Sequence, residues 1–161
     1  VWRVRARLAG AGWHASWVGV AAGVAGFAIW VALAGPEQPA APDSPIAHLA
    51  PLARMALIAA RLIGAVVVVP LVEELAFRGY LARRLTAADF DTVSLRQITW
   101  PALVASSALF GLMHHDALAG AAVGLLYGLA ARRRGQLGDA ALAHGVTNAL
   151  LAVTGRMTLP A

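Results

Sequence analysis

Five long stretches of the chain are nearly free of polar residues, and their lengths and borders predict helices. The first runs from Trp13 to Ala34 and suits the roughly 20 apolar residues that cross a bilayer's hydrocarbon core. It ends in a segment where Pro36, Pro39, Pro42 and Pro45 forbid helix and mark a loop. The second stretch starts near Leu52, crosses Ile63 to Val69 and continues to Arg83-Arg84. That is too long for one straight span of about 20 residues, and Pro70 predicts a kink within it. Its valines could be read as a buried strand, but an open strand in lipid leaves its backbone unsatisfied, so helix is predicted. Ala87 to Gln97, with Asp89, Asp91 and Arg96, reads as a polar connection. A third run spans Ile98 to Met113, and a fourth, Ala117 to Ala131, is rich in alanine and glycine as closely packed membrane helices are. After Arg132-Arg133-Arg134 and a Gly135-Gln136-Leu137-Gly138 turn comes the last, Ala140 to Val153, which is short for a span. There is no internal repeat.

Composition agrees with an integral membrane protein. Only 13% of the residues are charged and 60% are hydrophobic, against about 25% charged in soluble domains. All thirteen basic residues are arginine, and they gather at the ends of apolar runs, at Arg3, Arg5, Arg7, at Arg83, Arg84 and at Arg132 to Arg134. That placement is how cytoplasmic flanks look under the positive-inside rule, so the net charge of +5 does not call for nucleic acid. With no cysteine, disulfides, thiolate metal sites and thiol nucleophiles are excluded. The Trp13 to Ala34 run exceeds a signal peptide's 7–15-residue apolar region and is read as a spanning helix. The start at Val1 rather than Met reads as a fragment or a processed product. The organisation expected is an all-α, multi-pass helical bundle in the cell membrane. Residues 1–51 would form an amino-terminal helix with an external Pro-rich loop, and residues 52–161 a core enclosing a polar site.

Three short pieces set ionisable groups in or beside these apolar runs, where each costs roughly 2.5–3.5 kcal/mol near a bilayer centre and is a functional candidate by default. They are Glu73-Glu74-Leu75-Ala76-Phe77-Arg78, Phe110-Gly111-Leu112-Met113-His114 and His144-Gly145-Val146-Thr147-Asn148. Glu74 and Arg78 stand at i,i+4 with the acid first, the favourable order for a helical ion pair. Glu73 is turned about 100° away and is left for chemistry. His144 and Asn148 also share a face, offering an imidazole for proton transfer or metal binding and an amide that can donate to an oxyanion. Taken singly, each piece has a plainer reading: charge balance at a helix end, an interfacial histidine, an interhelical hydrogen bond. Together they hold the ingredients of a hydrolytic site.

The order Glu-Glu-x-x-x-Arg, Phe-x-x-x-His, His-x-x-x-Asn on successive apolar segments resembles the CAAX protease and bacteriocin-processing family of intramembrane endopeptidases. The likeness covers roughly Leu62 to Thr154, and the subtype resembles the CAAX protease-related proteins of bacterial exosortase sorting systems. The resemblance implies cleavage of a peptide bond in a membrane-anchored peptide or protein. It makes Glu73 the base that activates water with help from His114, gives His144 and Asn148 to the oxyanion, and has Glu74 and Arg78 organise the site. Zn2+ held by Glu73, His114 and His144 and a metal-free route both stay open, since the His-Glu-x-x-His spacing of soluble zinc proteases is absent. Two other readings stand beside it, a non-proteolytic immunity or scaffold protein of the same fold and a proton-coupled carrier. Depth is a difficulty. Counted along straight helices from the arginine side, His114 lies about 24 Å in and His144 only about 10 Å. They meet only if helices tilt, start at different depths or border a water-filled cavity.

Overall fold

The computed structural model describes residues 12–35 and 45–157; the loop expected over 36–44 and the arginines at positions 3, 5 and 7 lie outside the described residues. Among the described residues every regular element is helical. We number the long helices α1 (Trp17–Leu33), α2 (Pro51–Thr86), α3 (Trp100–Leu112), α4 (Ala117–Arg134) and α5 (Leu137–Val153). Single 3₁₀ turns at Phe90–Thr92 and Leu95–Gln97 make up most of the polar connection between α2 and α3. Among the described residues α2 is the one helix long and apolar enough to cross a membrane by length and composition, while α1, α3 and α5 are shorter apolar helices.

At 36 residues α2 rises roughly 54 Å, well beyond a hydrocarbon core of about 30 Å. It stays continuous through Pro70 because the chain widens ahead of it. Gly64–Val68 form a π-helical turn in which the Val69 amide reaches the Gly64 carbonyl. A second widened turn, Leu75–Leu81, follows the paired glutamates. Such turns shift the register of everything beyond them, and they occur mostly at functional sites.

Polarity in the bundle runs inside out. Leu52, Met55, Ile63, Val67 and Val72 of α2, Val104 and Leu109 of α3, and Val20 and Val24 of α1 face outward, whereas Glu74, Arg78, Ser106, Ser107, Asp139, His144 and Thr147 are buried. Glycine faces let the backbones come close enough to enclose these polar groups. On α4, Gly120, Gly124 and Gly128 recur every four residues, and added Cβ atoms there would meet His114, Phe110 and Leu103. On α1, Gly19, Gly23 and Gly26 lie against Asp139, Ala143, Val146 and Thr147 of α5. Small residues at such spacing are how membrane helices pack where no hydrophobic force drives them together.

The arginine-rich ends do more than balance charge. Arg83 donates to the carbonyls of Val93 (2.6 Å), Gly79 and Asp91 (both 3.1 Å), stapling the α2–α3 connection to the end of α2. Arg96 donates to the Arg134 carbonyl at 3.0 Å, and Arg132 lies over the Trp100 ring at 4.6 Å, so the last turn of α4 sits at the same end. Gly135, at φ 70°, closes α4 in the left-handed conformation that favours glycine. The start of α1 is at this end too, since the Gly138 amide bonds the Gly12 carbonyl at 3.0 Å and Ser16 Oγ donates to Asp139 at 2.7 Å.

The tightest crossing is that of α3 on α4 at Gly111, where an added Cβ would clash with the Ala117 carbonyl and come within 2.6 Å of the Ala121 amide. Gly111→Ala is therefore expected to destabilise by about 1–3 kcal/mol, read as a lowered thermal transition in detergent. Gly64→Ala, with nothing within 4 Å of the added methyl, should leave the transition unchanged or raise it slightly.

Candidate active site

Arg78 has no exposed surface, so each part of its guanidinium meets protein. Its Nη1 donates to Glu74 Oε1 at 2.9 Å, its Nη2 donates to the Gly124 carbonyl, and its carbon centre lies 4.7 Å from the Phe110 ring centroid. Glu74 is equally buried. Burial of both ions is eased by their pairing at close range and by the Gly124 carbonyl, while Arg78 Nε and Glu74 Oε2 have no hydrogen-bond partner among the described residues. Only glycine fits at position 124, where a Cβ would press on both the guanidinium and the Phe110 ring.

Glu74 has a second partner. His144 Nδ1 lies 3.2 Å from the same Glu74 Oε1 that receives Arg78. A carboxylate at Nδ1 fixes the imidazole's orientation and leaves Nε2 for other work. That Nε2 faces Glu73, 3.8 Å from its Oε2. Glu73 is partly exposed, and its Oε2 makes no hydrogen bond among the described residues. The adjacent glutamates thus point different ways, Glu74 into the core and Glu73 into a cavity of about 480 Å³.

The same cavity is bordered by Phe110, His114, Tyr127, His144, Thr147 and Asn148. Its wall includes Trp30 and Gly35 from the far end of α1. His114 Nδ1 donates to the Phe110 carbonyl at 2.8 Å in the tautomer that leaves Nε2 basic. Its ring also packs edge-on against Trp30 with centroids 5.8 Å apart. Asn148 donates through Nδ2 to the Ala65 carbonyl at 2.8 Å. The structure therefore brings Glu73, His114, His144 and Asn148 to one space, with Glu74 and Arg78 behind it.

The two histidines meet although the helix counts set them at different depths, and α5 is covered by protein from its first turn. Leu137, Gly138, Asp139 and Ala140 are all buried, and an added Cβ at Gly138 would lie 2.6 Å from the Trp13 carbonyl. Phe110 marks the meeting point, its ring centroid 4.5 Å from that of His114 and 5.6 Å from that of His144.

Several contributors escaped the reading of the sequence. Tyr127 stacks on His144 with ring centroids 5.0 Å apart and planes at 18°. It lies one turn after Gly124, and this α4 spacing was the available signal. Trp30 is an aromatic in an apolar run, and nothing in the pattern sets it apart. The bond from His144 to Glu74 was also unforeseen, since helical spacing gave Glu74 to Arg78 alone.

Zinc was one of the expectations for Glu73, His114 and His144. The contacts made by both Nδ1 atoms are of the kind metal-bound histidines make. The donors nevertheless do not converge, and among the described residues no group of three His, Cys, Asp or Glu side chains is placed to hold a metal ion. The described residues as arranged do not fit a zinc ion.

The fold and site define an all-α membrane bundle whose interior cavity is lined by carboxylate, imidazole and amide groups. The sequence profile of the Rce1-like type II CAAX prenyl endopeptidase family matches residues 54–150, more than half of the chain, and the chain belongs to that family. No curated protein and no solved structure matches it. The matched region holds α3, α4, nearly all of α2 and the residues Glu73, Glu74, Arg78, His114, His144 and Asn148, while α1 lies outside it.

The buried pair gives a direct test. Glu74→Gln and Arg78→Gln should each destabilise by about 3–5 kcal/mol by stranding the partner's charge, and the double variant should recover part of that loss. Thermal unfolding of the four proteins in detergent measures the coupling. The same cycle between Glu73 and Arg78 should give little coupling, and the reverse result would exchange the roles of the two glutamates.

Proposed function

We propose that this protein is an intramembrane endopeptidase that hydrolyses a peptide bond of a membrane-associated protein or peptide with a water activated by Glu73. The observation that carries this reading is the Glu73 carboxylate at the cavity wall, whose buried Oε2 has no hydrogen-bond partner among the described residues and stands 3.8 Å from His144 Nε2. Family membership supports peptide hydrolysis in a membrane.

In the proposed reaction Glu73 takes a proton from water while His114 Nε2 accepts the water's second hydrogen bond. The water oxygen adds to the scissile carbonyl carbon, and the carbonyl oxygen becomes an oxyanion. His144, as the imidazolium, gives its Nδ1 proton to Glu74 as a hydrogen bond and its Nε2–H to the oxyanion. The Asn148 amide has two N–H groups, one engaged with Ala65 and one to offer the same oxygen. Glu73 then returns its proton to the leaving amine and the C–N bond breaks. Donors already oriented in a site with little water stabilise such charge far more than donors free to reorient.

Two acids and two bases then balance, with Glu73 and Glu74 against Arg78 and protonated His144. A set without net charge costs less to hold in a site with little water than an unbalanced one. The family's name suggests a prenylated carboxy-terminal peptide as substrate. We also place the protein in the cell membrane with several passes and the Arg83 and Arg133 ends on the cytoplasmic side.

An internally quenched, farnesylated CAAX peptide incubated with purified protein in detergent tests the reading. Wild type should cleave it, and Glu73→Gln should lose about 10²–10⁴ in rate while keeping the wild-type thermal transition. A strong chelator should leave the wild-type rate within about twofold, as a route through protein groups requires. Near-normal turnover by the Glu73 variant would remove the catalytic assignment.

Topology has its own test, helped by the absence of native cysteine. Single cysteines at Leu85 and Arg133, both exposed, should be labelled by an impermeant maleimide from the same, cytoplasmic side. Labelling from opposite sides would overturn the arrangement.

A further inference from the structure

We propose that Asn148 is a positioning residue whose carboxamide supplies the hydrogen bond that Pro70 cannot, holding the Glu73 turn of α2 against the His144 face of α5. The functional half of this inference rests on the catalytic reading of Glu73 and His144. The clamp itself is a matter of backbone hydrogen bonding and is testable without any activity.

Proline has no amide hydrogen, so a helix that contains one leaves a carbonyl upstream without its donor. In the π register of Gly64–Val68, where the Val69 amide serves Gly64, the next carbonyl in line is that of Ala65 and its donor would be residue 70. In the ordinary α register the bereft carbonyl is that of Val66. Both are covered by α5. Asn148 Nδ2 reaches the Ala65 carbonyl at 2.8 Å, and Gly145 faces the Val66 carbonyl so closely that a Cβ there would lie 2.7 Å from it. Gly145 and Asn148 are one turn apart on the same face of α5.

The covered carbonyls lie about two turns before Glu73 on the same helix, and His144 lies one turn before Asn148 on α5. Securing α2 to α5 at this point sets the distance between their facing groups, which is 3.8 Å from Glu73 Oε2 to His144 Nε2. It also explains why the residue is an amide. Aspartate of the same shape offers no hydrogen to a carbonyl. Pro70 and Asn148 are thus one device written at two places in the chain.

The test is a four-member cycle of wild type, P70A, N148A and P70A/N148A, purified in detergent. Thermal unfolding and turnover of a farnesylated CAAX peptide are measured on each. N148A is expected to lower the midpoint by roughly 3–8 °C, and N148D to do the same. P70A restores an amide within reach of the widened turn and should stay within about 2 °C of wild type. In that background the Asn148 substitution should cost less than half as much. For folded protein well below its midpoint, N148A should lose roughly tenfold or more in kcat with little change in KM, and P70A/N148A should regain part of kcat.

An equal loss of midpoint in both backgrounds would overturn the proposal. So would a loss of kcat with no loss of midpoint in either background, which leaves Asn148 as an oxyanion donor alone. If N148A does not fold, folding of P70A/N148A supports the clamp and failure of both overturns it. Should the wild type cleave no peptide, the proposed function falls while the thermal cycle still decides the clamp.

Discussion

A guanidinium with no access to solvent must find its partners in the protein, and Arg78 draws them from α2, α3 and α4, with its Nε alone lacking a hydrogen-bond partner among the described residues. Glu74 supplies charge, the Gly124 carbonyl supplies a second acceptor, and the Phe110 ring covers the face. The glycine face of α4 exists where these groups need room. Desolvating a buried ion pair costs several kcal/mol per ion, so the pair is poorly explained as a source of stability. Its effect is better seen one bond further out. The oxygen of Glu74 held by Arg78 is also the one that orients His144. Glu73, one residue earlier and turned away, is thereby left facing an imidazole whose position is already determined.

Much of this was legible from residues alone, for local reasons. Apolar runs predict where helices are, and all five long helices fall on the stretches expected of them, α5 starting three residues sooner at Leu137. The i,i+4 pairing of Glu74 with Arg78 and the divergence of Glu73 follow from helical geometry and need no tertiary information. What was not legible depends on contacts distant in the chain. The burial of the first turn of α5 comes from residues 12–16 lying over it, some 120 residues away. Trp30 and Tyr127 look like ordinary packing residues until their rings are set beside histidines. The partner of Asn148 is a main-chain oxygen, and a side-chain pattern carries no mark for that. A proline announces a missing donor, but not which residue will replace it.

The α1 helix shows how a site can extend beyond the segment that characterises a family. It lies outside the matched residues, yet it packs along α5 through Gly19, Gly23 and Gly26 and brings Trp30 and Gly35 to the cavity wall. The Gly35 amide donates to Asp116 at 3.2 Å, tying the end of α1 to the turn that follows His114. One wall of the cavity is therefore free to differ in chemistry from the groups that are proposed to act on the bond.

The widely separated sources of these contacts bear on how the chain is made. A ribosome delivers α2 before α4 and α5, so Glu73, Glu74 and Arg78 are synthesised ahead of Gly124 and His144. Within the newborn α2, Arg78 can quench Glu74 alone, and a third charge and several N–H groups go unanswered. A helix in that condition is poorly suited to rest in lipid by itself. A chain ended before α5 would keep Glu73 and Glu74 without the imidazole that both of them face in the bundle.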